Sequence, residues 1–362
     1  MRWWKIIAGL VFAAAICIGL IQTFRTPLIW RAFDRAVARN VVADATQDLP
    51  DGLHVYMCGT GSPMPDNQRA EACIGVLAGN QSFIFDAGSG GIHKLGRMGF
   101  PMGHVQGAFL THLHSDHIDG LGQLLMMAWI GQNGFRAEPL PVYGPEGTEI
   151  VVGGFNAAYS LDRGYRIAHH GPDIAKPEGY GGRAVEILLP DEPSASKIVY
   201  DQDGVRITAI RVNHHSVSPA FGYRIDYKDR SISLSGDTIY HPGFATASEG
   251  VDVMFHEALN SEMVTRMADT LSGSGRDVTA KLLRDAMEDH SSPEDAARAA
   301  SEAGATELIY YHIVPPLPAK ALSQIWLGDA KSVFSGKVTL GEDGMLISLP
   351  AGSTKIIRSR KF

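Results

Sequence analysis

The sequence predicts an α/β protein, and two observations support this class. Strand-like and helix-like segments alternate along the chain, which is typical of helices layered on a sheet. The chain has 362 residues, of which 45% are hydrophobic and 20% charged, so it can bury a substantial core as one large domain or two small ones. Strands are predicted at 53–58, 73–78, 82–86 and 105–110, and helices at 92–98, 121–129 and 149–159.

A turn rich in histidine and aspartate follows the strand predicted at 105–110. In the stretch 112–119, three histidines and two carboxylates fall within eight residues. Burying such groups is costly unless they are paired or bind a metal. The crowding therefore favours a bound cation over a cluster of surface histidines.

The spacing within this turn indicates two neighbouring half-sites. His112 and His114 are two residues apart on an extended chain, so their side chains point the same way. Asp116 and His117 follow where the chain turns into a helix, which aims them at an adjacent point. Each half-site is short of the ligands that zinc, manganese or iron prefers, so further ligands are expected later in the chain.

Four later positions are candidates to complete the site, and a fifth precedes it. Either His214 or His215 is expected to complete the first half-site, and the residues alone do not separate them. Asp237 stands at a strand end, where the alternative to a bridging ligand is a turn former or helix cap. His312 ends the last major strand and is the expected final ligand of the second half-site. Asp86 is expected to orient the histidine turn from behind, with direct ligation as the alternative.

Two other features are candidates for substrate chemistry. His256 ends a buried strand and is interpreted as a proton donor to a leaving group, since histidine titrates near neutral pH. The alternative is a hydrogen bond from His256 to a ligand. The stretch 161–183 is interpreted as an irregular insertion, either a wall of the substrate site or a solvated loop.

The three cysteines form no paired C-x-x-C pattern, so metal binding must depend on histidine and aspartate. Cys58 and Cys73 could pair in an oxidising compartment. We favour the interpretation that both are small buried hydrophobic residues at strand positions.

The amino-terminal segment predicts a membrane anchor. Residues 6–21 are uncharged and almost entirely apolar, and the extension 3–24 gives roughly the twenty residues that a membrane-spanning helix needs. A cleavable signal peptide is the alternative, but no suitable small-x-small site follows the apolar run. The short basic start favours export, so a membrane-anchored catalytic domain in the periplasm is expected.

Four segments are expected along the chain. They are an N-terminal anchor or uncleaved signal at 1–25, a helical stalk at 26–50, a catalytic domain at 51–350 and a basic tail at 351–362.

Several motifs together resemble one family. His-x-His-x-Asp-His at 112–117 is similar to the signature of the metallo-β-lactamase superfamily of dinuclear metallohydrolases. The ribonuclease Z and arylsulfatase-like branch is the best match. Its other matching motifs are Gly59-Thr60-Gly61-Ser62-Pro63, Asp86, Tyr143-Gly144-Pro145, Gly222-Tyr223-Arg224, Ser235-Gly236-Asp237-Thr238, His256-Glu257-Ala258 and His312.

The resemblance implies a fold and a set of residue roles. The fold is a four-layer αββα sandwich with the site along one edge of its two sheets. Two divalent metal ions are implied, Zn²⁺ first and Mn²⁺ or Fe²⁺ as alternatives. One ion is assigned His112, His114 and His214, the other Asp116, His117 and His312, with Asp237 as the bridge. Asp116, His256 and His290 are counted as catalytic, the two histidines as a proton-relay pair, and Tyr223 and Arg224 as substrate-binding.

The resemblance and the composition lead to different substrates. The net charge of −7 argues weakly against nucleic acid, and no long basic arm of the kind that grips tRNA is found. We therefore expect hydrolysis of a small-molecule phosphodiester, sulfate or carboxylic ester, with nucleic acid an unlikely partner. The alternatives are a ribonuclease Z-like endoribonuclease that processes tRNA 3′ ends and a non-catalytic or redox metal-binding module. A homodimer is left open.

Overall fold

The structure is a computed structural model that describes residues 3–38, 44–130 and 136–362. It divides into two compact units, Met1–Gln47 and Asp48–Phe362. The described part of the first unit contains one long helix, α1 (Trp3–Val37), with Pro27 inside it. Residues 39–43, which belong to the predicted stalk, lie outside the described residues.

The predicted membrane anchor is not supported. Among the residues that the structure describes, no helix combines the length and the apolarity needed to cross a membrane. Both properties must occur together in one helix to make a span. The prediction of a transmembrane helix, and with it that of a membrane-anchored periplasmic domain, is therefore wrong.

The second unit contains all the strands that the structure describes. They are β1 (Gly52–Gly59), β2 (Cys73–Ala78), β3 (Gln81–Phe85), β4 (Val105–Phe109), β5 (Leu140–Gly144), β6 (Gly182–Glu186), β7 (Ser196–Gln202), β8 (Val205–His214), β9 (Val217–Tyr227), β10 (Arg230–Leu234), β11 (Val253–Leu259), β12 (Glu307–Val314), β13 (Lys337–Leu340), β14 (Met345–Pro350) and β15 (Ile357–Arg360). One sheet has the order β15-β14-β1-β2-β3-β4-β5-β6, and the other has the order β13-β12-β11-β10-β9-β8-β7.

The helices of this unit connect and cover the strands. They are α2 (Gly91–Arg97), α3 (Ser115–Ile118), α4 (Leu121–Trp129), α5 (Thr148–Ala158), α6 (Ser160–His170), α7 (Pro242–Ala247), α8 (Ser261–Gly273), α9 (Asp277–Asp285), α10 (Pro293–Glu302), α11 (Ser323–Leu327) and α12 (Ala330–Val333). Short 3₁₀ turns lie at Met102–His104, Pro177–Gly179, Ala286–Glu288 and Lys320–Leu322.

Alternation along the strands produces the layers. In β1, Val55 and Met57 pack between the two sheets, whereas Tyr56 and Cys58 face α2 and α4 on the outside. The second sheet likewise packs one face inward and the other against α7 and α10. Because successive strand residues point to opposite faces, each sheet buries both of its sides. The predicted four-layer αββα sandwich is confirmed.

The direction of the strands places their carboxyl ends together. β3, β4 and β5 are parallel neighbours in one sheet, and β10, β11 and β12 are parallel neighbours in the other. The chain segments that follow β3, β4, β10 and β11, and the ends of β8 and β12, carry the candidate site residues. Ligand sites in open α/β sheets form at such carboxyl ends.

Three local expectations differ from the structure. The stretch expected to be irregular from residue 161 begins inside helix α6. The carboxyl-terminal residues expected as a tail include strand β15, which pairs with β14. Cys58 and Cys73 are buried at strand positions, as favoured, but they form a disulfide, which is the alternative that the sequence left open. Cys58 lies next to the end of β1 and Cys73 begins the antiparallel neighbour β2, and this brings their Cα atoms to 5.1 Å.

Candidate metal centre

Three histidines form the first cluster, which we call the His triad: His112, His114 and His214. His112 and His114 lie between the end of β4 and helix α3, and His214 is the last residue of β8. The Nδ1 atom of His114 is 3.0 Å from His112 Nε2 and 3.4 Å from His214 Nε2. Three imidazole nitrogens thus converge on one point.

A second cluster, the mixed triad, consists of Asp116, His117 and His312. His312 Nε2 is 3.1 Å from Asp116 Oδ2, and His117 Nε2 is 3.5 Å from the same oxygen. All three residues are buried. Two of them come from α3 and the third from β12, so the two sheets each contribute to this cluster.

Asp237 lies between the two triads. Its Oδ2 atom is 3.9 Å from His112 Nε2, and 3.3 Å from both His117 Nε2 and His312 Nε2. Gly236 precedes it with a φ of +61° and donates its backbone N–H to Tyr311 Oη over 2.9 Å. A side chain at Gly236 would collide with Thr111, so glycine is required for this close approach.

The distances within the clusters fit small cations. Ligands at about 2.0–2.1 Å from a tetrahedral Zn²⁺ stand roughly 3.3 Å from one another, and the separations here range from 3.0 to 3.9 Å. Within the described part of the chain, His117 Nε2 and Asp237 Oδ1 are buried without a hydrogen-bond partner. Buried polar atoms are normally satisfied, so a ligand at this point accounts for both.

The turn that carries His112 and His117 is braced from behind by Asp86 and Thr111. Asp86 Oδ2 accepts from His117 Nδ1 at 2.8 Å, and Asp86 Oδ1 accepts the Thr111 N–H at 2.8 Å. Thr111 Oγ1 is 2.9 Å from Asp86 Oδ2 and 3.0 Å from His112 Nδ1. The two residues therefore orient one histidine of each triad. Thr111 was missed from the sequence, although its place directly before His112 is a signal that could have found it.

The electrostatic environment differs between His112 and His117. Burial lowers the pKa of His112 well below its ordinary value, and the neighbouring histidines add to this effect. Burial also opposes protonation of His117, but Asp237, Asp86 and Asp116 together raise its pKa well above the ordinary value. Three carboxylates around one buried imidazole create a strongly negative point, which a bound cation would neutralise.

His290 lies beside both triads and pairs with Glu257. Its ring centroid is 5.3 Å from that of His214 and 5.4 Å from that of His312. Its Nδ1 atom is 3.1 Å from Glu257 Oε2, while Glu257 Oε1 accepts the Ser291 N–H at 2.7 Å. Burial lowers the pKa of His290, but the charge and hydrogen bond of Glu257, together with the charges of Asp237 and Asp289, outweigh it and raise this pKa to about 9.

His256 does not join His290 as the resemblance implied. His256 is buried, its ring lies 5.7 Å from that of Phe244, and its Nδ1 bonds to the backbone oxygen of Glu257 at 2.7 Å. Burial lowers its pKa. Because neighbouring residues of a strand point to opposite faces, His256 faces the outer helix layer and Glu257 faces the site. Glu257, which the sequence analysis did not single out, is therefore the partner of His290.

Tyr223 and Arg224 do not line the site. Tyr223 is fully buried between the sheets, where its hydroxyl donates to the backbone oxygen of Leu110 at 2.7 Å. The guanidinium of Arg224 bonds to Asp226 and to the backbone oxygens of Ala247 and Glu249. The substrate-binding role expected for these two residues is corrected, since their polar groups are occupied within the fold.

His214 and His215 have different positions. His214 belongs to the His triad, and its Nδ1 is 3.0 Å from the backbone oxygen of Asp289. His215 is exposed, has a φ of +47°, and its Nδ1 lies 3.5 Å from Asp289 Oδ1. The turn after β8 thus directs only the first of the two imidazoles to the cluster.

An αββα sandwich with these side chains at its edge defines the class of metal-dependent hydrolases with the metallo-β-lactamase fold. A model of the beta-lactamase superfamily domain matches residues 82–313. Ribonuclease Z of Mycobacterium avium is 34% identical over 302 residues, which cover 83% of this chain and 100% of that protein. Ribonuclease Z of Mycobacterium bovis is 33% identical over 291 residues, which cover 80% and 96%. The chain therefore belongs to the metallo-β-lactamase superfamily, in the branch that contains ribonuclease Z.

Solved structures show the same fold. The short form of human tRNase Z superposes with a TM-score of 0.58 at 22% identity, over 82% of this chain and 99% of that one. The metallo-beta-lactamase fold protein YhfI from Bacillus subtilis gives a TM-score of 0.57 at 21% identity, over 83% and 100%. Hydrolases of this fold bind divalent metal ions, and the clusters described above can hold such ions.

The comparisons also correct the expected partners. The chain matches proteins named ribonuclease Z over their whole length. The expectation that nucleic acid is an unlikely partner is therefore wrong, and a small-molecule ester and a membrane are not supported as partners. The net charge was a poor guide to the partner, because the net charge of a whole chain does not describe the groups at one edge of its sheets.

Proposed function

We propose that this chain is a metal-dependent phosphodiesterase of the ribonuclease Z type, with RNA as its substrate. The observation that carries the proposal is the pair of triads joined at Asp237 Oδ2, with the His290–Glu257 pair beside them. Relatives that match over nearly their whole length are named ribonuclease Z, and this name supports RNA as the substrate class. Two divalent ions are proposed, most readily Zn²⁺, since the ligands are imidazole nitrogens and carboxylate oxygens.

The residues of the two triads and Asp237 are assigned to binding the ions and orienting the attacking water. The His triad would hold one ion, the mixed triad the other, and Asp237 both. Such ions lower the pKa of a water molecule and offset the negative charge of a phosphodiester. Asp116 is ionised, because the nearby His117 and His312 outweigh burial and lower its pKa. We assign its carboxylate the role of orienting the attacking water.

His290 is the proposed general acid. Glu257 accepts the hydrogen bond from Nδ1 and keeps the imidazole protonated at neutral pH, which leaves Nε2 as the nitrogen that can give up a proton, and His290 lies close to Asp237 and His312. A proton delivered from Nε2 to the departing ribose oxygen would complete the cleavage of a P–O bond. This assignment replaces His256 by Glu257 in the relay.

The proposal is tested with purified protein and two phosphodiesters. Bis(p-nitrophenyl) phosphate has a leaving group that needs no protonation, whereas a precursor tRNA with a 3′ extension has a poor one. We expect both to be hydrolysed, a chelator to abolish both activities, and added Zn²⁺ or Mn²⁺ to restore them. Turnover of p-nitrophenyl sulfate in place of both would refute the proposal. Hydrolysis of the synthetic diester alone would refute the RNA substrate while retaining the phosphodiesterase.

Neighbouring histidines give a matched pair of variants for this test. His214→Ala removes a ligand of the His triad and is expected to lower kcat/KM more than about 100-fold, beyond the effect of losing a group behind a ligand. His215→Ala removes the exposed neighbour and should change kcat/KM less than about 3-fold, as for an ordinary surface position. Equal losses in the two variants would contradict the assignment of the triad.

A further inference from the structure

His312 has a backbone conformation that its strand does not explain. It has a φ of +47° within β12, whereas an extended strand requires a negative φ. The pairing of β11 with β12 passes from Glu257–Tyr311 to Ala258–Ile313, so His312 is the extra residue of a β-bulge. A residue with a side chain rarely adopts this conformation, and it persists only where the surroundings fix it.

Two loops fix the residues on either side of His312. The Ile313 N–H donates to the backbone oxygen of Thr60 at 3.0 Å, and the Gly341 N–H donates to that of Tyr310 at 2.8 Å. Thr60 follows β1 and Gly341 follows β13, so the two loops come from distant parts of the chain. Together they hold the bulge that aims His312 Nε2 at Asp116 and Asp237.

A buried carboxylate ties these two loops to each other. Asp343 is 5% exposed, and its Oδ1 accepts from the Thr60 N–H at 2.9 Å and from Thr60 Oγ1 at 2.7 Å. Its Oδ2 accepts from the Ala70 N–H at 2.7 Å and from Lys94 Nζ at 2.6 Å. Arg69 joins the loops a second time, because its Nη1 donates to Thr60 Oγ1 and to the backbone oxygen of Gly341.

Stability alone does not account for the hydrogen bonds and ion pair of Asp343. Buried ion pairs often contribute no more than well-packed apolar residues would, so they are weak evidence for a purely stabilising role. Every acceptor position of Asp343 described above is directed at the loop 60–70 or at Lys94, which in turn donates to the backbone oxygen of Gln68 in that loop. The carboxylate therefore specifies the position of one loop, and that loop contacts the residue next to His312.

We propose that Asp343 is a positioning residue for His312, which it holds in its bulge through Thr60 so that the mixed triad can bind its cation. The inference depends on the proposed function, since it requires that the triads bind cations. Asp343, Thr60 and Arg69 all lie outside the residues 82–313 that the superfamily model matches. The site thus depends on chain segments beyond that domain core.

The test is a Co²⁺ titration of the metal-free full-length protein, followed by visible absorption and calorimetry. His114→Ala and His312→Ala identify the signals of the two triads. In Asp343→Asn we expect the affinity of the mixed triad to fall about 10–100-fold, as for other groups behind metal ligands, with the His triad unchanged. Thr60→Val, which removes the hydroxyl bonds to Asp343 and Arg69 but keeps the bond from the Thr60 N–H to Asp343, should give a smaller loss at the same triad and serves as the test if Asp343→Asn does not fold.

The matched control is Asp252→Asn. Asp252 pairs with the buried Arg230 at 2.9 Å and accepts the Ser231 N–H at 2.9 Å, at the other end of β10 and β11. It should lower thermal stability without changing the ratio of the two Co²⁺ affinities. Wild-type affinities in both Asp343→Asn and Thr60→Val, or an equal loss at both triads, would overturn the inference alone. Failure of the wild-type protein to bind any cation would overturn the proposed function as well.

Discussion

The candidate site has two halves that are held in different ways. The turn half, His112 to His117, is contiguous and is braced by Asp86 and Thr111 directly behind it. The strand-end half consists of His214, Asp237 and His312, which stand at the ends of separate strands of the other sheet or just after them. The turn half depends on local hydrogen bonds, whereas the strand-end half depends on sheet register and on loops that fix unusual backbone angles.

Because the two halves are held differently, substitutions in different parts of the chain should disturb them. A substitution of Asp86 or Thr111 behind the turn half acts directly on His112 and His117, through their Nδ1 atoms. The strand-end half can be disturbed from far away, because its geometry is set by which residues pair across the sheet. Asp237 is the point at which the halves meet, since its Oδ2 lies within 3.9 Å of ligand atoms from both.

The largest effect is expected from Asp237→Ala, which removes the Oδ2 atom that lies near ligand atoms of both halves. Loss of the shared oxygen should weaken both cation sites and lower kcat/KM for bis(p-nitrophenyl) phosphate more than about 100-fold. Steady-state kinetics and metal content of the purified variant are the measurements. Asp119→Ala is the control, because Asp119 is an exposed carboxylate of the same turn outside both clusters. Retention of two bound ions by Asp237→Ala would contradict a bridging role.

A smaller effect is expected from Asp86→Asn, which tests the turn half alone. The amide cannot accept hydrogen bonds at both of its positions, so His117 loses its partner or Thr111 does. We expect the affinity for Zn²⁺ to fall about 10–100-fold, measured by competition with a chelator. A loss confined to the His triad would be the wrong result, since Asp86 contacts His117 and reaches His112 only through Thr111.

The smallest effect on the synthetic diester is expected from Glu257→Gln, which leaves the ligands in place. Burial lowers the pKa of His290, and Glu257 is the largest of the groups that raise it to about 9. The acid form is therefore present below this pKa and is lost as the pH rises through it. Without the carboxylate the alkaline limb of the pH profile should move to lower pH, and RNA cleavage at pH 8 should fall about 100-fold or more.

The two substrates separate this role from a structural one. Hydrolysis of bis(p-nitrophenyl) phosphate by Glu257→Gln should change less than about 5-fold, because p-nitrophenolate leaves without a proton, so the contribution of a general acid is not needed. Pre-steady-state or steady-state rates between pH 6 and 10 on both substrates give the comparison. Equal losses on the two substrates would show that Glu257 supports the ligands and not the acid.

The sequence by itself determined the α/β class and the turn half of the site. His112, His114, Asp116 and His117 are close in the chain, so local geometry alone brings their side chains together. The strand ends indicated Asp237, His312 and one of His214 and His215 as further candidates. The resemblance to a known family supplied the αββα layers and selected His214. The apolar run near the amino terminus, by contrast, predicted a membrane anchor, and the net charge led to nucleic acid being considered an unlikely partner; both predictions were wrong.

Only the tertiary structure decided which of two neighbouring strand residues faces the site. His256 and Glu257 are adjacent, yet His256 contacts Phe244 in the outer core and Glu257 bonds to His290. Which of two neighbouring strand residues faces the site depends on the register of the strand and on what packs against each face of its sheet. Thr60 and Asp343 are linked across a separation of 283 positions. Contacts of that kind form where β1 and β14, which are far apart in the chain, pair as neighbours in one sheet, and no local pattern in the chain encodes them.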